Sequence, residues 1–447
     1  MKNRTSIYAA VINTVMIAFV FGVANSAYAA TFTVNNAGDG TDFSAGNGVC
    51  ETAAGNGICT LRAAIVEANT LATSDTINFM AGITSIAVNT EIALAPVGLL
   101  TITGPGANVL TIDGVAGTAN RIFQYSIGSA VTITDLTLTG GVATHGGAIY
   151  QSGGVALTLD HVHVTGNRTT SFGGGGVRFD SGTNVVRNST FSNNTDTSGG
   201  DGGAAIFAGA GTLTIVNSTI SGNTAVRGGG IYVNGTAALR NVTVANNTAT
   251  SVGGGILFNA GGGNLGNTIV ANNSATNTSG AFVDSGGNFF GTPALDPLAN
   301  YGGSTPTIRL PTGSSLIDSG VDSLATAAVL TTDQRGFTRF ADGNADTIVR
   351  VDIGAFEVQG PSAAPVSLSG RVLCGKSGIR NARVQLTEQD GTVHTVMTGS
   401  FGYYSFSGLA AGQSVIVEVG ARRYTFAEPV QTIFLSDNVT EVTFSAN

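Results

Sequence analysis

Between about residues 130 and 290 the chain repeats a short apolar–polar alternation at near-constant spacing. Six anchors, Gly140, Gly166, Asn193, Gly222, Asn246 and Asn272, recur about every 26 residues. Two positions before each anchor the residue is apolar: Leu138, Val164, Phe191, Ile220, Val244 and Val270. Three positions before it stand Thr137, His163, Thr190, Thr219, Thr243 and Ile269, mostly threonine. An apolar column beside a threonine-rich one is a strand with one packed face. Recurring once per repeat, it makes one coil per repeat, each strand pairing with its copy in the next coil. The pattern predicts an all-β fold, a right-handed parallel β-helix solenoid. It has about eight coils and is about 40 Å long at the usual spacing between strands.

Glycine clusters mark a second recurrence. Gly146-Gly147, Gly174-Gly175-Gly176, Gly202-Gly203, Gly228-Gly229-Gly230 and Gly253-Gly254-Gly255 each precede a short apolar strand. A coil turns sharply several times, and glycine reaches positive φ without steric cost. Five positions before the anchors come Asp135, His161, Asn188, Asn217, Asn241 and Asn267, expected to stack their amides as a ladder along one edge. A leucine-rich repeat would show Leu-x-x-Leu-x-Leu, and a propeller blade needs about 40–45 residues, so neither fits.

The flanks read differently. Lys2 and Arg4, an apolar run from Ala9 to Ala24 and the small-x-small Ala27-Tyr28-Ala29 predict a cleaved export leader over residues 1–29. No later apolar run is long enough to span a bilayer, so no membrane span is expected in the mature chain. Leu61, Ala64, Ile65 and Ala68 fall at helical spacing and predict a short amphipathic helix capping the first coil. A cap with the first coils is expected over 30–100, repeats over 101–290, a closing segment over 291–360 and a linker over 361–365. Alternating strands such as Val366–Val372, Ala382–Leu386 and Val415–Val419 predict a small β-sandwich over 366–447.

Three stretches resemble known families. Cys59-Thr60-Leu61-Arg62-Ala63-Ala64 resembles the CSLREA domain of secreted bacterial β-helix proteins, over about residues 31–80. Asp296-Pro297-Leu298, Ser315-Leu316-Ile317-Asp318-Ser319-Gly320, Thr332-Asp333-Gln334-Arg335-Gly336-Phe337 and Val351-Asp352-Ile353-Gly354-Ala355-Phe356-Glu357 together resemble the choice-of-anchor Q domain of surface proteins. Gly399-Ser400-Phe401-Gly402-Tyr403-Tyr404-Ser405-Phe406 resembles the carboxypeptidase regulatory-like domain, a β-sandwich without peptidase activity. These resemblances imply a pectin lyase-like β-helix in the extracellular space or cell envelope.

Charge and composition narrow the chemistry. A net charge of −8, with lysine only at Lys2 and Lys376, argues against nucleic acid as a partner. Cys50 and Cys59 are expected to form a disulfide in an exported chain, with Cys374 left as a free thiol. A lyase on this fold needs clustered acidic calcium ligands with an Arg or Lys base, and a hydrolase needs converging carboxylates. Asp135, Asp160, Asp180, Asp196 and Asp201 share no column, Arg168, Arg178, Arg187, Arg227 and Arg240 are dispersed, and the chain has no Trp to stack on a sugar. The expected protein is therefore non-enzymatic and without a resident cofactor. It would serve adhesion, surface presentation or binding of polysaccharide and matrix; the alternative is a polysaccharide lyase or glycoside hydrolase. His161 and His163 read as substitutions within solvent-facing columns. Asp342, Asn344, Asp346 and Asp352 form the one candidate metal set, in the spacing of half a calcium loop, with Ile353 where a bidentate Glu belongs.

Overall fold

A computed structural model describes residues 29–115, 120–360, 365–388 and 391–446. The predicted leader, but for Ala29, and the linker, but for Pro365, lie outside the described residues. Successive coils stack in register into sheets of ten, nine, eight and five parallel strands. The columns read from sequence are the register of the nine-stranded sheet. Thr137, His163, Thr190, Thr219, Thr243 and Ile269 pair directly, as do Leu138, Val164, Phe191, Ile220, Val244 and Val270. The apolar column is fully buried and forms part of one core running the length of the solenoid.

The expected amide ladder is corrected by the structure. Asp135, His161, Asn188, Asn217, Asn241 and Asn267 all have φ between 45° and 58°, so this column is a left-handed turn. Asn and Asp reach that conformation more readily than other side chains. Its side chains meet along the axis only at 3.4 Å, between Asn217 and Asn188 and between Asn267 and Asn241. The true ladder lies one residue after the anchors. Asn167, Asn194, Asn223 and Asn247 each donate Nδ2 to the Oδ1 of the next asparagine, ending on Asn273, at 3.1, 3.0, 2.8 and 3.0 Å. Each receiving Oδ1 also takes the backbone N–H of the coil before, so two orphan donors per turn are satisfied inside the core.

At the N-terminal end, Leu61–Ala68 forms the capping helix. Thr60 caps it by accepting the Ala63 N–H at 3.1 Å, and Leu61, Ala64, Ile65 and Ala68 are buried against the first strands. Cys50 and Cys59 are joined by a disulfide with Cα atoms 5.1 Å apart, and Cys374 is a half-buried free thiol. The carboxylate of Glu67, buried under the loop before the helix, accepts the Gly46 N–H at 2.6 Å and that of Gly48. Among the described residues no helix is long and apolar enough to cross a membrane.

The segment after the coils folds back along the solenoid's flank, over the threonine column that alternation alone would leave to solvent. Thr190, Thr219 and Thr243 are 0–1% exposed. Thr219 bonds Thr307 at 3.0 Å and Gln334 at 2.6 Å, Gln334 reaches Thr190 at 2.8 Å, and Thr243 accepts the Ala355 N–H at 3.0 Å. The turn column holds the same segment. Asn217 donates to the Thr332 carbonyl, and Asn267 both donates to and accepts from Val321. Two buried ion pairs, Arg335–Asp333 at 2.7 Å and Arg339–Glu357 at 3.2 Å, lock the segment internally. Arg335 also lies 3.5 Å over the Phe356 ring.

Residues 366–446 form two antiparallel-rich sheets face to face. Val366–Cys374 pairs with Tyr403–Leu409 and Val439–Ala446, while Arg383–Thr387 pairs with Val393–Met397 and Gln413–Gly420, which continues to Val430–Leu435. Leu368, Val384, Leu386, Tyr404, Phe406, Val417 and Phe444 fill the space between. Buried Tyr404 donates its hydroxyl to the Val442 carbonyl at 2.9 Å, whereas Tyr403 is 59% exposed.

Candidate functional site

The predicted metal residues separate into two places. Asp342, Asn344 and Asp346 come together in an exposed turn, where their oxygens accept the backbone N–H groups of Asp346, Thr347 and Ile348. Asp352 is not in that turn. It is buried, and its oxygens accept the N–H of Asp318 at 2.7 Å and of Val358 at 2.6 Å.

His161 and His163 also have separate partners: His161 pairs with Asp160 at 2.9 Å and His163 meets Ser192 at 2.8 Å. Burial pushes the His163 ring down to about 4, below its ordinary value of 6.5. The folded ring stays neutral while the unfolded one charges, so the contribution is whole above pH 6.5 and is lost as pH falls towards 4. Replacing His163 with the threonine of its neighbours is expected to lift stability near pH 4 by up to about 3 kcal/mol relative to pH 7. Urea titrations at both pH values check this; parallel losses in both proteins would contradict it.

A different constellation stands on the outer face of the eight-stranded sheet. The short strands of this sheet point their middle residues outward, and these pair in register as Gln124, Tyr150, Arg178, Phe207, Tyr232 and Leu257. Arg178 gathers carboxylates that look scattered in sequence. It bonds Asp180 at 2.6 Å and Asp201 at 3.1 Å, and its guanidinium lies 3.9 Å over the Phe207 ring. Tyr150 donates its hydroxyl to Asp180 at 2.7 Å. The Tyr150 ring carries Arg121 at 5.0 Å and stacks on His145 at 4.9 Å, and His145 stacks in turn on Phe172 at 4.4 Å. Phe172, at the outer end of this pile, is 49% exposed.

The glycines explain why the column can be covered so closely. Gly146, Gly174, Gly203, Gly228 and Gly253 all have positive φ. A Cβ on Gly202 would sit 2.8 Å from the Tyr232 ring and 1.9 Å from the Arg227 carbonyl, so only a bare backbone can lie over the rings here. Burial lowers the affinity of His145 for a proton, with Arg178 adding to the effect, and raises Tyr150 to about 12. Burial also lifts the carboxyl of Asp196, near Asp201, to about 6. A cleft of about 390 Å³ beside the stack is lined by Glu91, Asn120, Arg121, Thr144 and Thr170. A larger cavity of about 780 Å³ lies between the closing segment and the sandwich and includes Arg309, already paired with Asp296 at 2.6 Å. It collects no carboxylate or histidine.

The stack was legible only by aligning the repeats on the glycine clusters instead of the Gly/Asn anchors. The middle residue of the short strand after each cluster then reads Tyr150, Arg178, Phe207, Tyr232 and Leu257, an aromatic-rich column where a polar one would be ordinary. No curated protein matches the chain. Residues 121–291 match the family model of the right handed beta helix region, which makes the coils carrying this stack a right-handed β-helix.

Proposed function

We propose that this chain is an exported protein that binds carbohydrate on the outer face of its eight-stranded sheet without cleaving it, in surface presentation, adhesion or matrix contact. The observation that carries the reading is the pile of Phe172, His145, Tyr150 and Arg121, open at Phe172 and beside a cleft of sugar-unit size. Ring faces accept the C–H faces of a pyranose, and arginines and carboxylates at the border hydrogen-bond its hydroxyls. Asp180 and Asp201 are both committed to Arg178, whereas a glycosidase needs carboxyl groups free on either side of the scissile bond. The resemblance of residues 31–80 and 291–360 to segments of secreted and surface proteins supports export.

A second reading, a lyase or hydrolase using the neighbouring five-stranded sheet that carries Asp196, has one observation in its favour. Asp196, held near 6 by burial, retains a proton close to neutrality as a general acid does. One experiment separates the two. The protein is incubated with a polyuronate, a neutral β-glucan and a sulfated galactan, and both retention and the release of reducing or unsaturated ends are followed. Retention on at least one polymer without released ends is the expected result. Released ends would establish the second reading, and neither retention nor release would overturn both.

A further inference from the structure

The closing segment holds more buried carboxyl groups than its arginines balance. Asp318, Asp333, Asp352 and Glu357 are 0–4% exposed, and the buried cations facing them are Arg335 and Arg339, which leaves two carboxyl groups without a counter-charge. Burying unbalanced charge costs several kcal/mol per ion. Asp333 is taken up by Arg335, at 2.7 Å. The excess therefore sits on the other three carboxylates, which each bring an oxygen within 4.8 Å of the other two.

Within that trio one atom is unanswered. The Asp318 oxygens accept the Gly343 and Asn344 N–H groups at 3.3 and 2.8 Å, and those of Asp352 accept the Asp318 and Val358 N–H groups. Glu357 Oε2 accepts from the Asp352 N–H at 2.9 Å and from Arg339 at 3.2 Å. Glu357 Oε1 is fully buried and has no hydrogen-bond partner. A buried acceptor left unmade costs about 1–3 kcal/mol, more for a charged group.

We propose that Asp318, Asp352 and Glu357 form a binding site for one divalent cation of the calcium type, with Glu357 bridging Arg339 through Oε2 and the cation through Oε1. The ligands are all hard carboxylate oxygens, without histidine or thiolate, which selects calcium-like ions over zinc or copper. A charge of +2 cancels the excess. Asp318 stands 34 residues before Asp352, so the ion ties the turn at Asp318 to the Asp352–Glu357 end of the closing segment. The exposed Asp342–Asp346 turn touches this site only through the Gly343 and Asn344 backbone.

The full chain, stripped with chelator, is dialysed at equilibrium against labelled Ca²⁺, and its thermal unfolding is followed with Ca²⁺ and with EDTA. One Ca²⁺ bound per chain and a midpoint raised by several degrees are expected. Glu357→Gln and Asp318→Asn are each expected to weaken binding at least tenfold, while Asp342→Ala with Asp346→Ala leaves it unchanged. No uptake by the unaltered chain at millimolar Ca²⁺ would overturn the site and point to carboxyls neutralised by protons. Binding lost in the Asp342/Asp346 variant but kept in Glu357→Gln would overturn it too, moving the ion to the exposed turn. Should one carboxylate variant fail to fold, the other and the unaltered chain decide.

Discussion

Asn223→Ala is expected to destabilise the protein by about 4 kcal/mol. Its amide occupies the middle of the interior ladder. Oδ1 accepts both the backbone N–H and the side-chain amide of Asn194, at 2.9 and 3.0 Å. Nδ2 donates to the Phe191 carbonyl at 3.0 Å and to Asn247 at 2.8 Å. Truncation leaves the Asn194 N–H without a partner and breaks the amide bonds to Asn194, Phe191 and Asn247, in a place that is 0% exposed. Each orphaned buried group costs about 1–3 kcal/mol. Asn188, one coil earlier in the turn column, provides the contrast. Its φ of 51° is what the position demands, and glycine meets that demand, so Asn188→Gly is expected to cost less than about 1 kcal/mol. Urea unfolding of the two variants measures both. Equal losses would mean that the two asparagine columns do the same work, against the account.

Arg339→Ala is expected to cost about 3–5 kcal/mol, the range for breaking a buried ion pair on one side. The side chain is 0% exposed and holds the closing segment to the coils as well as to itself. One Nη donates to the Gly354 carbonyl at 3.1 Å and to Glu357; the other donates to Asn217 at 2.6 Å and to the Ala355 carbonyl at 3.2 Å. Its removal takes the donor from the Gly354 carbonyl and the Asn217 amide oxygen and the counter-charge from Glu357, while the Ala355 carbonyl keeps the Gln334 N–H. The loss should fall on the segment and not on the solenoid, because the coil ladders do not pass through it. Hydrogen exchange is expected to accelerate first over residues 305–357, with the Asn-ladder coils protected as before. Arg339→Lys keeps the charge but lacks the forked donors, and should recover only part of the loss. Uniform acceleration through the coils would contradict this division.

The coil register was legible because one repeat per coil places chemically equivalent residues in direct pairing. A slip of a single residue would turn the whole Leu138–Val270 column outward. The asparagine columns show where such reading goes astray. Asparagine serves both as a residue tolerant of positive φ and as an amide that bonds in two directions, and its letter does not say which. The neighbours in each column do. The anchor column exchanges Asn for Gly and the turn column admits Asp135 and His161, as a purely conformational demand allows. The ladder column is Asn in every coil from Asn167 to Asn273, because only an amide makes both bonds.

The closing segment could be located in sequence but not placed. Thr190 alternates like a solvent-facing residue, and the groups that cover it lie more than a hundred positions later, at Pro306 and Gln334. No local periodicity reports such a contact. The stack on the eight-stranded sheet was hidden for a related reason. Asp180 stands two residues from Arg178 while Asp201 stands in the next turn, so no single alignment column holds both, yet one coil of rise brings them to the same guanidinium. Asp352 was grouped with the Asp342–Asp346 turn by spacing; the fold places it instead with Asp318 and Glu357.

The face that carries this stack is the centre of the functional account, and Phe172→Ala tests it most directly. Phe172 is half exposed and ends the pile, so its removal should leave the fold unchanged. On whichever of the polyuronate, β-glucan and galactan retains the unaltered protein, the variant is expected to bind about tenfold more weakly, about 1.4 kcal/mol. Phe401→Ala, which removes a 74% exposed ring from the sandwich, is expected to bind as the unaltered protein does. Undiminished retention by Phe172→Ala, or equal loss in Phe401→Ala, would contradict the assignment of the binding face.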